Sequence, residues 1–190
     1  MGYGSIDEIQ ALEPALIRFG DAFPESSAWP WRLAGRDETG MLFLARTDAF
    51  GPPGWMDVEV EAVGDGWGHA SMGQCDPRIV TSPDLGAAGW WPDPAYPAPD
   101  PDSTELHVLV VEQACASGSS AEGRIADPVI AAGPTSVTIT IGVHRAVGDQ
   151  ACLGNPPTPF TIRLTEPLGD RTLLDGSHAP PVVPTPPGDP

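Results

Sequence analysis

The chain has 190 residues with 41% hydrophobic content, enough for one domain with a sizeable core, or for a compact domain with an N-terminal extension, while two full domains would be cramped. Its 24 Pro and 22 Gly punctuate apolar runs of strand length, so an ordered, loop-rich fold is expected. A formal charge of −17 gives counterion release the wrong sign for nucleic acid and repels anionic head groups, which makes DNA, RNA and membrane surfaces poor partners.

In chain order, Ser5, Ile6, Asp7 and Glu8 have the Ser-x-x-Glu form of a capping box, and Ile6, Ile9, Leu12, Leu16 and Phe19 follow at helical spacing. A short helix is expected, kinked or restarted at Pro14 and stopped at Gly20. The period then becomes two. Residues 41–46 form a short apolar run, and residues 57–63 alternate, with Val58, Val60 and Ala62 inward and Asp57, Glu59 and Glu61 on a solvated acidic stripe. Gly64, Asp65 and Gly66 signal a tight turn that returns residues 67–71 as the hairpin partner.

Residues 84–103 carry Trp90 and Trp91 and a Pro every few residues from Pro92 to Pro101. They are expected to be an extended connection that cannot join a central sheet. Residues 105–113, 124–131, 135–147 and 159–165 read as a meander of strands, with a fifth over 171–174. Val137, Ile139, Ile141 and Val143 face one way, Ser136, Thr138, Thr140 and His144 the other, so one sheet face is buried and one wet.

The expected fold is mainly β: an antiparallel β-sandwich, immunoglobulin-like in outline, or a small barrel, with a short N-terminal helix. The expected organisation is a helix, hairpin and Pro/Trp-rich connection over 1–104, an antiparallel β domain over 105–176, and an extended Pro-rich tail over 177–190.

The three cysteines are Cys75, Cys115 and Cys152, with no spacing that suits zinc. Cys115 and Cys152 each follow a strand, with two strand traverses between them, and two traverses return the chain to one end of the sheet. A Cys115 to Cys152 disulfide is therefore reachable. It would belong to an oxidising compartment and leave Cys75 as the odd thiol. A Cys75 to Cys115 bond competes, because cysteine count does not fix connectivity. A nucleophilic Cys75 would have His69 near in sequence but no identifiable orienting partner.

From about Cys75 to Gly176 several phrases stand out: Thr104-Glu105-Leu106-His107-Val108-Leu109-Val110, Ala114-Cys115-Ala116-Ser117-Gly118, Gly123-Arg124-Ile125, Gly154-Asn155-Pro156-Pro157-Thr158, and Glu166-Pro167-Leu168-Gly169-Asp170-Arg171 through Asp175-Gly176. On these the chain resembles an uncharacterised family of exported or lipid-anchored proteins from high-GC bacteria such as actinobacteria and Chloroflexi. The resemblance implies a location in the envelope and nothing catalytic.

No stretch approaches the roughly 20 apolar residues of a membrane helix. Residues 1–5 are expected to stand where a signal peptide or lipid anchor was removed, with any anchor in a segment outside this chain. Hydrolase elbows, zinc-protease helices and phosphate loops are not found. His107 and His144 lie on different strands, separated in the meander by residues 124–131, so no two-His metal site is expected. Asp93, Asp100 and Asp102 read as Pro-Asp turn residues.

Trp content points furthest towards function. Trp29 and Trp31 project to one side of an extended segment, and exposed indole pairs stack on sugars or anchor protein contacts. Trp90 and Trp91 point oppositely, so one fills a core and one reaches the surface. The leading expectation is a noncatalytic secreted or envelope binding module that uses Trp29, Trp31, Trp90 and Trp91 against a glycan or an envelope protein, with no cofactor and no metal. A hydrolase of envelope polymers with an unidentified carboxylate pair, and a purely structural envelope domain, are the alternatives.

Overall fold

The computed structural model describes residues 6–49 and 54–187, so Ser5 of the capping box lies outside the described residues. The chain is mainly β with antiparallel sheets and a short helix near the N terminus. It divides into two compact units, Met1–Pro77 and Arg78–Pro190, each built on its own apolar cluster. The expected boundary near residue 104 is thus corrected: the Trp90-Trp91 segment belongs with the strands that follow it.

In the first unit, α1 (Ile6–Phe19) is one helix with Pro14 inside it. Pro14 is exposed, and the carbonyl it leaves unpaired, four residues back at exposed Gln10, can bond to water. The helix does not restart there. Ala11, Leu12, Ala15 and Leu16 form its buried stripe. They pack on an antiparallel meander of β1 (Arg32–Arg36), β2 (Gly40–Arg46), β3 (Trp55–Val63) and β4 (Gly66–Cys75). Met56, Val58 and Val60 point into this core, whereas Glu59 and Glu61 are exposed, as the period of two requires.

The second unit has two sheets. One runs β10 (Thr158–Arg163), β6 (Glu105–Glu112), β5 (Leu85–Pro92), β9 (Gly142–His144); the other runs β11 (Thr172–Asp175), β8 (Ser136–Thr140), β7 (Val129–Ala132). Their inner residues share one cluster, in which Trp90 and Val110 from the first sheet meet Val137 and Ile139 from the second. The Trp90 Nε1–H donates to the Ile139 carbonyl at 3.2 Å and so joins the two layers.

Three expectations change here. β5 is a central strand between β6 and β9. The prolines do not prevent this, because Pro92 is its last residue and the others lie beyond it. The expected meander is replaced: residues 135–147 cross between sheets at Ile141, as β8 and β9, with Val137, Ile139, Ile141 and Val143 all still buried. Finally, β11 runs parallel to β8, with Thr172 opposite Ser136.

The C-terminal segment is also more than a free tail. Asp175 and Val182 exchange backbone hydrogen bonds at 2.7 and 3.3 Å, Ser177 is fully buried, and Pro184 is buried.

Candidate functional site

Alternation along β5 places Ala88 and Trp90 in the core and turns Gly89 and Trp91 to the outer face of the sheet. β6 likewise buries Val108 and Val110 and turns Leu109 and Val111 outward. The register sets Gly89 opposite Val111 and Trp91 opposite Leu109, so an indole and two aliphatic side chains share one patch. Trp91 takes no part in the core cluster that Trp90 fills. It is nevertheless only 7% exposed.

On this outer face lies a groove of about 480 Å³, lined by Trp91, Val111 and Gln113 of the sheet, by residues 182–187, and by Arg78, Asp175 and His178. The polar end is built by residues 175–178 closing on β8: a Cβ on Gly176 would overlap the Thr140 hydroxyl, so only glycine permits the approach. Asp175 is nearly buried; its Oδ1 accepts the Ser177 N–H at 2.9 Å. Its Oδ2 lies 3.7 Å from His178 Nε2 and 4.0 Å from Arg78 Nη1. Arg78 Nη1 in turn sits 2.5 Å from His178 Nε2 and donates to Ser177 Oγ at 3.2 Å.

Ser177, His178 and Asp175 are the residue types of a hydrolytic triad, but the arrangement is a different one. Ser177 is fully buried, and the group that contacts its hydroxyl is a guanidinium. A nucleophile needs an exposed Oγ bonded to imidazole. The cluster instead satisfies its own charges and pins the chain reversal that starts the C-terminal segment. Asp175 is the one carboxylate among the described residues that line this groove, so the paired carboxyls of a glycosidase are not assembled in it.

The other Trp expectations need correction. Trp29, Trp31 and Trp90 are 8%, 2% and 1% exposed. Trp29 and Trp31 do project together, with ring centroids 5.9 Å apart, but the side they share is the core beneath α1. The Trp31 Nε1–H is satisfied by the Ser26 carbonyl at 2.8 Å, which removes the usual reason for an indole to stay at a surface. Trp91 is as buried as Trp29 and so does not reach the surface as expected, but of these four it alone turns to the outer face of a sheet, where it lines the groove.

The cysteine pairing is Cys115–Cys152, with Cα atoms 4.5 Å apart. The two-traverse route is not the reason for it, since β7 and β8 belong to the other sheet. Cys115 follows β6 and Cys152 precedes β10, and these two strands are neighbours, Val110 opposite Thr158. Ser117 and Ala151 extend the contact with bonds of 3.0 Å from each amide, to Ala151 O and to Ser117 Oγ.

Beside this bridge sequence reasoning missed a buried polar group. Glu112, on the inner side of β6, is 2% exposed. Its Oε2 accepts from Arg124 Nη2 at 2.6 Å, and Arg124 also donates to the carbonyls of Ser120 and His144. The Glu112 hydrogen bond, opposed by desolvation and aided by the carboxylate charge, raises the guanidinium pKa further. Asn155 Nδ2 donates to the carbonyls of Glu112 and Ala114 at 3.0 and 2.7 Å. The signal was available: Asn155 is the chain's one asparagine, close in sequence to Cys152.

Cys75 is free and half-buried. Burial first, then the charge and hydrogen bond of Asp57 and the charge of Asp76, push its thiol up to about 11. Such a thiol is a poor nucleophile at neutral pH; the His69 side chain lies outside the described residues. His107 stacks on Tyr96, ring centroids 3.9 Å apart, and contacts Thr161 Oγ1. It is separated from His144 by β5, at whose opposite ends the two lie. No group of three or more His, Cys, Asp or Glu suited to a metal occurs among the described residues. Asp93 and Asp100 accept backbone N–H groups two residues on, as turn residues do.

Among the described residues no helix is long and apolar enough to cross a membrane. Comparison with protein-family models, with curated proteins and with solved structures finds no match to this chain.

Proposed function

We propose that the chain is a noncatalytic binding module of the extracytoplasmic space, secreted or held at the cell envelope, whose ligand seats in the groove beside Trp91. The observation that carries this reading is the open groove of about 480 Å³ with an indole and Val111 on its sheet wall. Binding sites are concave and mostly apolar, with a few polar groups that fix orientation. The Cys115–Cys152 bridge supports this compartment, since such bonds persist where the surroundings are oxidising. The resemblance to exported or lipid-anchored proteins of high-GC bacteria supports the same location.

The test is affinity isolation from native envelope, together with a glycan array, using the wild type and two groove variants, Trp91→Ala and Val111→Glu. The expected result is one ligand retained by the wild type and weakened roughly tenfold or more by both substitutions, as for a residue central to an interface. A ligand held equally by all three proteins, or none held by the wild type, would overturn the assignment.

A further inference from the structure

Three features of the groove narrow its ligand. The first is what already lies there. Residues 182–187, with Pro184, Pro186 and Pro187, form the wall that faces Trp91 and Val111. Trp91 is buried although it is absent from the core of its unit, so its cover comes from this outer side. The second is how that segment is held. Its upstream end is fixed by the Asp175 and Val182 backbone bonds and by buried Pro184, whereas Thr185, Pro186 and Pro187 are exposed. They line the space without filling it.

The third feature is the groove's polarity. Arg78, Asp175 and His178 are turned on one another and on Ser177. The rest of the lining offers Gly89, Trp90, Trp91 and Val111 of the sheet, aliphatic and prolyl side chains of the C-terminal segment, and two polar side chains, the Gln113 amide and the Thr185 hydroxyl. A sugar would need several hydroxyl partners to offset its desolvation, and beyond the self-satisfied Arg78, Asp175 and His178 this lining provides two polar side chains, Gln113 and Thr185. An extended proline-rich chain needs few. It brings flat prolyl rings to an aromatic surface, and its polyproline geometry is set before binding, so little ordering entropy is lost.

We infer that this groove is a docking site for an extended proline-rich polypeptide, and that the chain's own C-terminal segment occupies its edge in cis. The inference rests on the binding-module reading above and names the ligand class. The partner segment lies along Trp91 and Val111 in the place of residues 184–187, whose buried Pro184 must give way for the indole to be reached.

Fluorescence anisotropy on the full chain tests it, with a labelled peptide of residues 180–187 as the probe. The wild type is compared with a triple substitution, Pro184→Ala, Pro186→Ala and Pro187→Ala, which loosens the cis segment. The triple variant should bind the peptide roughly tenfold more tightly than the wild type, because the cis occupant acts as a competitor at high effective concentration. Adding Trp91→Ala should abolish the gain. Should that variant fold poorly by circular dichroism, Val111→Arg on the same background should abolish it instead.

A peptide with every Pro replaced by Ala should not bind. Equal binding of that peptide, indifference to Trp91 and Val111, or no gain in the triple variant would each overturn the inference. Displacement of the peptide by chitohexaose would replace it with a sugar site. Envelope capture that still depends on Trp91, without peptide binding, would sink the ligand class alone; loss of Trp91-dependent capture would sink the binding-module reading itself.

Discussion

Glu112 has its side chain fully shielded and its Oε2 bonded to Arg124, whose own side chain is 22% exposed. Removing the guanidinium leaves a shielded carboxylate without its cation, so Arg124→Ala should cost about 3 kcal/mol, the lower end of the range for a broken buried pair. Urea denaturation checks this, and a loss below about 1 kcal/mol, the size of a surface pair, would contradict it. At Cys75 the raised thiol pKa, driven first by burial, leaves little thiolate near pH 8. Iodoacetamide should therefore label Cys75 in the folded protein far more slowly than it labels glutathione, and Asp57→Asn, which removes a charge opposing ionisation, should speed the labelling. At Asp37, bonds from the Thr39 hydroxyl and from the Thr39 and Gly40 amides hold the carboxyl below its ordinary 3.8. A lowered folded value means that the stabilisation of the β1–β2 turn is present above about pH 4, the unfolded carboxyl pKa, and fades as pH falls through the lowered value. An NMR titration of the Asp37 carboxyl should show a midpoint below that of an unfolded peptide, and Asp37→Ala should remove this part of the acid response.

Between strands, the Cys115–Cys152 bridge closes a loop of 37 residues, which the loop-entropy relation converts to roughly 4 kcal/mol. Replacing both cysteines by Ala should lower the stability of the second unit by about that amount in guanidinium titration; an unchanged midpoint would mean that neighbouring β6 and β10 already hold this edge. The same elements mark what was legible beforehand. β3 and β4 could be read because Asp57, Glu59 and Glu61 alternate with buried Val58 and Val60 and a Gly-Asp-Gly turn follows. The disulfide was legible as a pairing, though by a wrong route, since strand order is set by core contacts that no local pattern encodes. β5 was hidden because its prolines begin where the strand ends. Trp29 and Trp31 were misplaced for a related reason: an extended segment predicts that both indoles share a side, but only the packing of α1 decides which side is covered. The groove itself was out of reach, because Arg78, Trp91 and His178 are distant in sequence and are brought to one groove only by the fold of the second unit.

Over the whole chain, two compact units carry separate cores, and the bridge and the groove both belong to the second. The charge of −17 disfavours anionic partners, and the uncharged, extended ligand proposed for the groove is compatible with it. The proposed extracytoplasmic location rests on the Cys115–Cys152 pairing, and the oxidation state of the cysteines in the source cell tests it most directly. Cells are quenched in acid, free thiols are alkylated, and the digested protein is examined by mass spectrometry without reductant. The account predicts a peptide linked through Cys115 and Cys152 and an alkylated Cys75; alkylation of all three cysteines would contradict it.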